Sequence, residues 1–237
     1  MYFIKVMSKL YNPSRLLRPR YKHFESIEGV FYNNLNKYRL LSVNGFAINI
    51  DHLPNDTPFR ITRFVRDPRD LVISGYFYHK RGAEPWFRFK DPSLKYWSPI
   101  NGCVPEQLPS KTSFSEYLQK VPLEEGLMAE IDFRRYHFES LRNWRNHEHI
   151  KVFKYEDIIH NEAAIFNEIF RFYEVSEIER QIGNFWAKKY ALGKVKGSKH
   201  IRNAEPSQWK KYFTPKVTRY FNEHYSDVIE LLGYELT

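Results

Sequence analysis

Apolar side chains recur at Phe3, Val6, Met7 and Leu10, and Pro13 closes that run. This is helical spacing, so the chain opens on a helix. Asn12 to Glu28 is basic and irregular. Leu40 to Ile50 is apolar and reads as a strand ending near His52; Phe59 to Val65 reads as the next. Asp67, Pro68 and Asp70 then give a helix cap, a first-turn proline and an acidic first turn. The helix they start carries Leu71, Val72, Ser74 and Gly75. Arg81 to Pro109, rich in aromatics, glycine and proline, predicts a long irregular excursion. Ser113 to Leu118 predicts a short helix and Glu124 to Trp144 one longer helix. Ile150 to Phe153 is a short strand running into Tyr155-Glu156-Asp157, followed by a helix over Ala164 to Tyr173. Ser176 with Glu179 is a capping box for another helix. Ala191 to Pro206 reads as a basic loop, and Thr214-Pro215 caps the last helix. Strands alternating with helices predict an α/β fold of three layers, α/β/α, around a mainly parallel central sheet.

Composition narrows the class. The 237 residues suit a single domain over 1–237, and 42% hydrophobic content supplies a sizeable core. No apolar run is long enough to span a bilayer. The single cysteine, Cys103, excludes an intramolecular disulfide framework and a cysteine-built metal site. It fits a reducing, cytoplasmic setting. A net charge of +9 favours anionic partners. The basic residues are spread along the chain, and no nucleic-acid reader motif accompanies them, so no nucleic acid is expected.

The candidate chemistry gathers around Phe59 to Lys80. A strand delivers Arg66 to its carboxyl end, where ligands of open parallel sheets collect. A helix N-terminus follows, and Ser74 lies about two turns into that helix. An arginine, a helix end and a hydroxyl around one point suit a phosphate. A plain strand–turn–helix with a solvated arginine fits the same residues.

Arg66-Asp67-Pro68-Arg69-Asp70, with Ser74 eight positions after Arg66, resembles the 3′-phosphate motif of PAPS-dependent sulfotransferases. Three further segments resemble that family in the expected order: His52-Leu53-Pro54, Tyr155-Glu156-Asp157, and Arg202 through Trp209-Lys210 to Phe213-Thr214. The resemblance runs from His52 to the C-terminus. It implies a P-loop-NTPase-like sulfotransferase fold and transfer of a sulfuryl group from PAPS, leaving PAP, to a hydroxyl or amine of a small-molecule or glycan acceptor. His52 would be the catalytic base. Arg66 and Ser74 would bind the 3′-phosphate, Tyr155 would lie against adenine, Arg202 would contact phosphate and Trp209 would pack or stack under the nucleotide. No metal is called for. Arg69 and Asp70 are expected to pair or cap.

Two departures accompany the resemblance. Ala204 and Ser207 stand where the late loop has glycines. The family's phosphosulfate-binding loop, of the type P-K-S-G-T, does not occur in the chain. The helix at Phe3 to Leu10 matches the one that follows that loop, so a domain lacking its first strand and loop is expected. A protein that binds PAP or PAPS without efficient catalysis is the alternative. Seven aromatics, Tyr76, Tyr78, Trp86, Phe87, Phe89, Tyr96 and Trp97, are candidates for an acceptor cleft or for core.

Overall fold

The computed structural model describes residues 2–14, 18–24, 31–43, 48, 50–53, 58–97, 100, 102–142, 145–191, 203 and 205–236. In chain order the elements are α1 (Tyr2–Tyr11), β1 (Tyr21–Phe24), β2 (Leu40–Val43), β3 (Ile61–Val65), α2 (Pro68–Lys80), α3 (Leu94–Trp97) and α4 (Phe114–Lys120). Then come α5 (Leu123–Phe133), α6 (Arg135–Arg142), β4 (Ile150–Lys154), α7 (Tyr155–Ile158), α8 (Glu162–Phe172), α9 (Glu177–Tyr190), α10 (Trp209–Tyr212) and α11 (Pro215–Leu231). The chain divides into two compact units, one of Met1–Phe64 with Arg145–Ser198, the other of Val65–Trp144 with Lys199–Thr237.

In the first unit β1 and β2 pair in parallel, Tyr21 opposite Leu40 through Phe24 opposite Val43. β3 pairs with β4. The α/β class holds, and among the described residues the strands pair two by two rather than in one continuous central sheet. The core lies between α1, α8 and α9, with Val6, Met7, Phe166, Ile169 and Phe170 at its centre. The predicted capping box closes: Ser176 Oγ accepts the Glu179 N–H while Glu179 accepts the Ser176 N–H.

The irregular reading of Asn12 to Glu28 is corrected by β1. Four residues are too few to carry a period, and the strand is fixed from outside itself. The Asn12 side chain accepts the N–H groups of Arg20 (2.9 Å) and Tyr21 (3.0 Å) and donates to the Tyr21 carbonyl at 2.8 Å. The apolar run at Leu40 to Ile50 gives only the short β2, and a 3-10 turn over Ile50–His52 follows later.

In the second unit α2 starts as read, with Asp67 accepting the Arg69 N–H and Pro68 in the first turn. Thr214 likewise caps α11, accepting the Val217 N–H. The helix expected over Glu124 to Trp144 is two helices. Arg134 leaves helical geometry at φ −87°, ψ 7°, and its side chain turns back to Glu130. The break lets α5 bury Leu127 and Ile131 while α6 buries Phe138 and Leu141. Arg81 to Pro109 is not wholly irregular, since it holds a 3-10 turn at Pro85–Arg88 and the short α3. The aromatics proposed for a cleft divide. Tyr76, Phe87 and Trp97 are core, the last fully buried, while Phe89 and Tyr96 form an exposed edge-to-face pair. No helix among the described residues is long and apolar enough to cross a membrane.

Candidate functional site

β3 ends at Val65 and the chain turns through Arg66 and Asp67 into α2. The helical spacing of Asp70 and Ser74 puts them on one stripe, a turn apart. Asp70 is fully buried and Ser74 is exposed. Arg66 Nη2 reaches Asp70 Oδ2 at 3.5 Å, a loose contact, and the Arg66 side chain keeps 16% of its surface open. A guanidinium carries five donors in a planar fork, a geometry suited to a multiply charged anion.

The first turn of α2 is more occupied than the sequence suggests. Pro68 has no N–H, and the Arg69 N–H is taken by Asp67 Oδ1 at 2.9 Å. The Arg69 guanidinium grips the same carboxylate, Nε to Oδ1 at 3.0 Å and Nη2 to Oδ2 at 2.8 Å. Two arginines and two aspartates thus stand at this turn. The expectation of a helix end open to an anion is narrowed: Asp67 takes the Arg69 N–H, and Pro68 has none to give.

Asp70 also ties down a distant segment of the same unit. Its carboxylate accepts the Ser207 N–H at 2.7 Å and the Trp209 N–H at 2.9 Å. Burial pushes the Asp70 carboxyl above its ordinary range, opposed by those N–H groups and by Arg66. Trp209 is buried, and the Arg69 guanidinium lies 3.7 Å from its ring centre, a close cation–π contact. Arg69 therefore joins α2 to the start of α10 from one side and Asp70 from the other. The expected pairing of Arg69 and capping character of this turn are present. The anchoring of Ser207 to Trp209 by Asp70 is the feature that sequence reasoning missed.

Ser207, one of the two residues standing in place of glycine, has φ +60°. That is the left-handed region a glycine enters freely and a serine enters at a cost. The backbone keeps a glycine-like turn there despite the substitution. Ala204 and Arg202 lie outside the described residues, as does Pro54.

The remaining site candidates belong to the first unit. His52 ends the 3-10 turn at Ile50–His52 and is exposed, with its ring edge-on to Tyr32 at 5.5 Å. Tyr155 is half-buried at the first position of α7, directly after β4. A cleft of about 480 Å³ opens in this unit between Tyr11, Arg39, Phe59, Arg60, His149 and Tyr173. It lies at the start of β3, and neither His52 nor Tyr155 lines it. Among the described residues no group of histidine, cysteine or carboxylate side chains is arranged to hold a metal ion.

A family model described as "Sulfotransferase domain" matches residues 26–233. A comparison with curated proteins finds no match. Among solved structures, the chain is similar to mouse sulfotransferase SULT7A1 complexed with PAP, with 14% identity, TM-score 0.49, and coverage of 96% of this chain and 79% of that one. It is similar to retinol dehydratase in complex with androsterone and inactive cofactor PAP, with 15% identity, TM-score 0.40, and coverage of 84% and 54%. A third is retinol dehydratase in a complex with retinol and PAP, with 15% identity, TM-score 0.44, and coverage of 86% and 56%. The chain spans just over half the length of the two retinol dehydratase chains.

Proposed function

The chain belongs to the sulfotransferase domain family, and from that premise we propose that it takes a sulfuryl group from PAPS and passes it to a hydroxyl or amine of a small-molecule or glycan acceptor. The observation that carries the donor assignment is the Arg66–Asp70–Ser74 stripe. It presents a guanidinium and an exposed hydroxyl beside a helix that caps its own N-terminus. On this reading Arg66 and Ser74 hold the 3′-phosphate. Trp209 acts from beneath, keeping the segment after Ser207 in place through its contact with Arg69. Tyr155 is the adenine contact and Arg202 the second cationic contact, both by their positions in the family's motifs.

In sulfuryl transfer a nucleophilic oxygen or nitrogen attacks sulfur in line, and negative charge grows on the leaving phosphate oxygen. The protein's task is positioning and the supply of positive charge. His52 is the proposed base. Its exposure on a short turn leaves the imidazole open to an acceptor, and an imidazole nitrogen can take a proton. Removal of the acceptor proton by His52 accompanies formation of the new S–O or S–N bond, and PAP departs with the electrons of the broken S–O bond.

The experiment measures PAP affinity by calorimetry and sulfuryl transfer from labelled PAPS in the same preparations. Arg66→Ala should weaken PAP by about tenfold or more, as expected for a charged hydrogen bond of about 1.5–3 kcal/mol. His52→Gln should leave PAP affinity within twofold and cut transfer by about a hundredfold or more. Unchanged PAP affinity in Arg66→Ala refutes the phosphate assignment. Unchanged transfer in His52→Gln refutes the base. PAP binding without transfer to any acceptor, in the unsubstituted chain, favours a nucleotide-binding protein over an enzyme.

A further inference from the structure

One carboxylate oxygen is shared between the anion site and the segment beyond it. Asp70 Oδ2 faces Arg66 Nη2 at 3.5 Å and accepts the Ser207 N–H at 2.7 Å, while Oδ1 accepts the Trp209 N–H at 2.9 Å. We propose that Asp70 is a positioning residue that couples nucleotide binding at Arg66 to the setting of Ser207 through Trp209. The inference rests on the phosphate assignment made above and extends it to a residue that touches no ligand.

The coupling follows from how a buried carboxylate divides its charge. Asp70 is fully buried, so its donors are few and each one felt by the others. Arg66 stands at the outer limit of hydrogen-bond distance. A phosphate that draws the guanidinium into a short charge-assisted pair takes it further from Oδ2. More of the carboxylate's charge is then left to the Ser207 and Trp209 N–H groups, and both bonds tighten. The reverse holds by linkage: a segment firmly seated on Asp70 releases Arg66 toward phosphate, and a segment lifted away returns Asp70 to Arg66.

Two neighbours make the segment responsive at that point. Ser207 holds φ +60°, a conformation that persists in a non-glycine residue only where its surroundings impose it, and the Asp70 bond is the contact to its N–H. Trp209 is fixed by the Arg69 guanidinium on its face, and Arg69 is itself held by Asp67. The residues between a strained turn and a clamped ring move as one piece.

The test is amide hydrogen exchange at Ser207 and Trp209 in the whole chain, with and without saturating PAP, in the unsubstituted protein, in Asp70→Asn and in Arg66→Ala. In the unsubstituted protein both amides should slow by about threefold or more when PAP binds. In Asp70→Asn the slowing should vanish at saturating PAP, whereas protection by direct contact with the nucleotide would persist and overturn the proposal. Arg66→Ala needs no nucleotide and covers the case in which Asp70→Asn does not fold. Without PAP its two amides should already be about threefold slower than in the unsubstituted chain, and equal rates overturn the coupling. A chain that binds no PAP refutes the phosphate assignment, while the nucleotide-free Arg66→Ala arm still tests the link through Asp70.

Discussion

Replacing Gly75 by alanine should destabilise the second unit, although alanine is the better helix former. Gly75 sits in α2 one residue after Ser74, and α5 crosses it closely. A Cβ at this position would overlap Glu130 Oε1 and Arg134 Nη2 and stand 2.9 Å from Arg134 Cζ. Those atoms cannot simply swing away. Glu130 is fully buried; it receives Arg134 Nε at 2.8 Å and the His79 Nδ1–H at 2.7 Å. His79 is in turn packed against Phe87 at 3.8 Å between ring centres. The helical gain of Gly→Ala is about 1 kcal/mol. Dislodging one partner of a buried charge network costs about 3 kcal/mol, the lower end of the range for removing a partner outright. The balance is a loss of about 2 kcal/mol. For a chain of this size that is a fall of roughly 4–8 °C in the unfolding midpoint. Thermal unfolding followed by circular dichroism reads it directly. The same substitution in an Arg134→Ala background should cost less, because part of the obstruction is gone, giving a coupling of about 1 kcal/mol or more. A Gly75→Ala protein as stable as the unsubstituted one, or additive effects in the double variant, would refute the close packing of the network on α2.

Ser207→Gly should stabilise the chain by about 0.5–1 kcal/mol, since the left-handed strain of about 1–2 kcal/mol outweighs the extra backbone freedom glycine brings to the unfolded chain; chemical denaturation measures it, and a loss of stability would contradict φ +60° at this residue. Stability should fall on acidification below about pH 6.5. Burial lowers the His79 imidazole below its ordinary value despite Glu130, and lowers His137, whose Nε2 lies in the interior, to about 3. His137 stays neutral in the fold while the unfolded chain takes up a proton, so unfolding gains about 1.4 kcal/mol per pH unit from that residue, and the lowered His79 acts in the same direction. His137→Asn should flatten the slope between pH 6.5 and 5, and an unchanged slope excludes that residue as a source.

Caps were the most legible part of the fold. Asp67-Pro68, Ser176 with Glu179, and Thr214-Pro215 mark helix starts by local chemistry, and each closes where the residues say. What was not legible depends on partners distant in sequence. The strand at Tyr21 exists because Asn12 and Ser42 reach it, with Tyr21 Oη and Ser42 Oγ 2.6 Å apart, and no window of residues contains that information. The break at Arg134 is similar. The apolar residues of α5 and α6 follow one helical period in sequence, and the backbone leaves that period only at Arg134 (φ −87°, ψ 7°).

The site divides along the same line. Arg66 and Ser74 are readable as a spacing, since one precedes the cap of α2 and the other lies within that helix. The place of Asp70 in the first turn of α2 suggests a local pairing or capping role, yet its two shortest bonds run to Ser207 and Trp209. The sequence did carry a trace of this. A serine where the family has glycine either changes the backbone or is held against its preference, and φ +60° says it is held. A residue kept in a costly conformation requires a donor or acceptor nearby to keep it there. Asp70 is that acceptor, so the serine in place of glycine points to the carboxylate to which this segment is fastened.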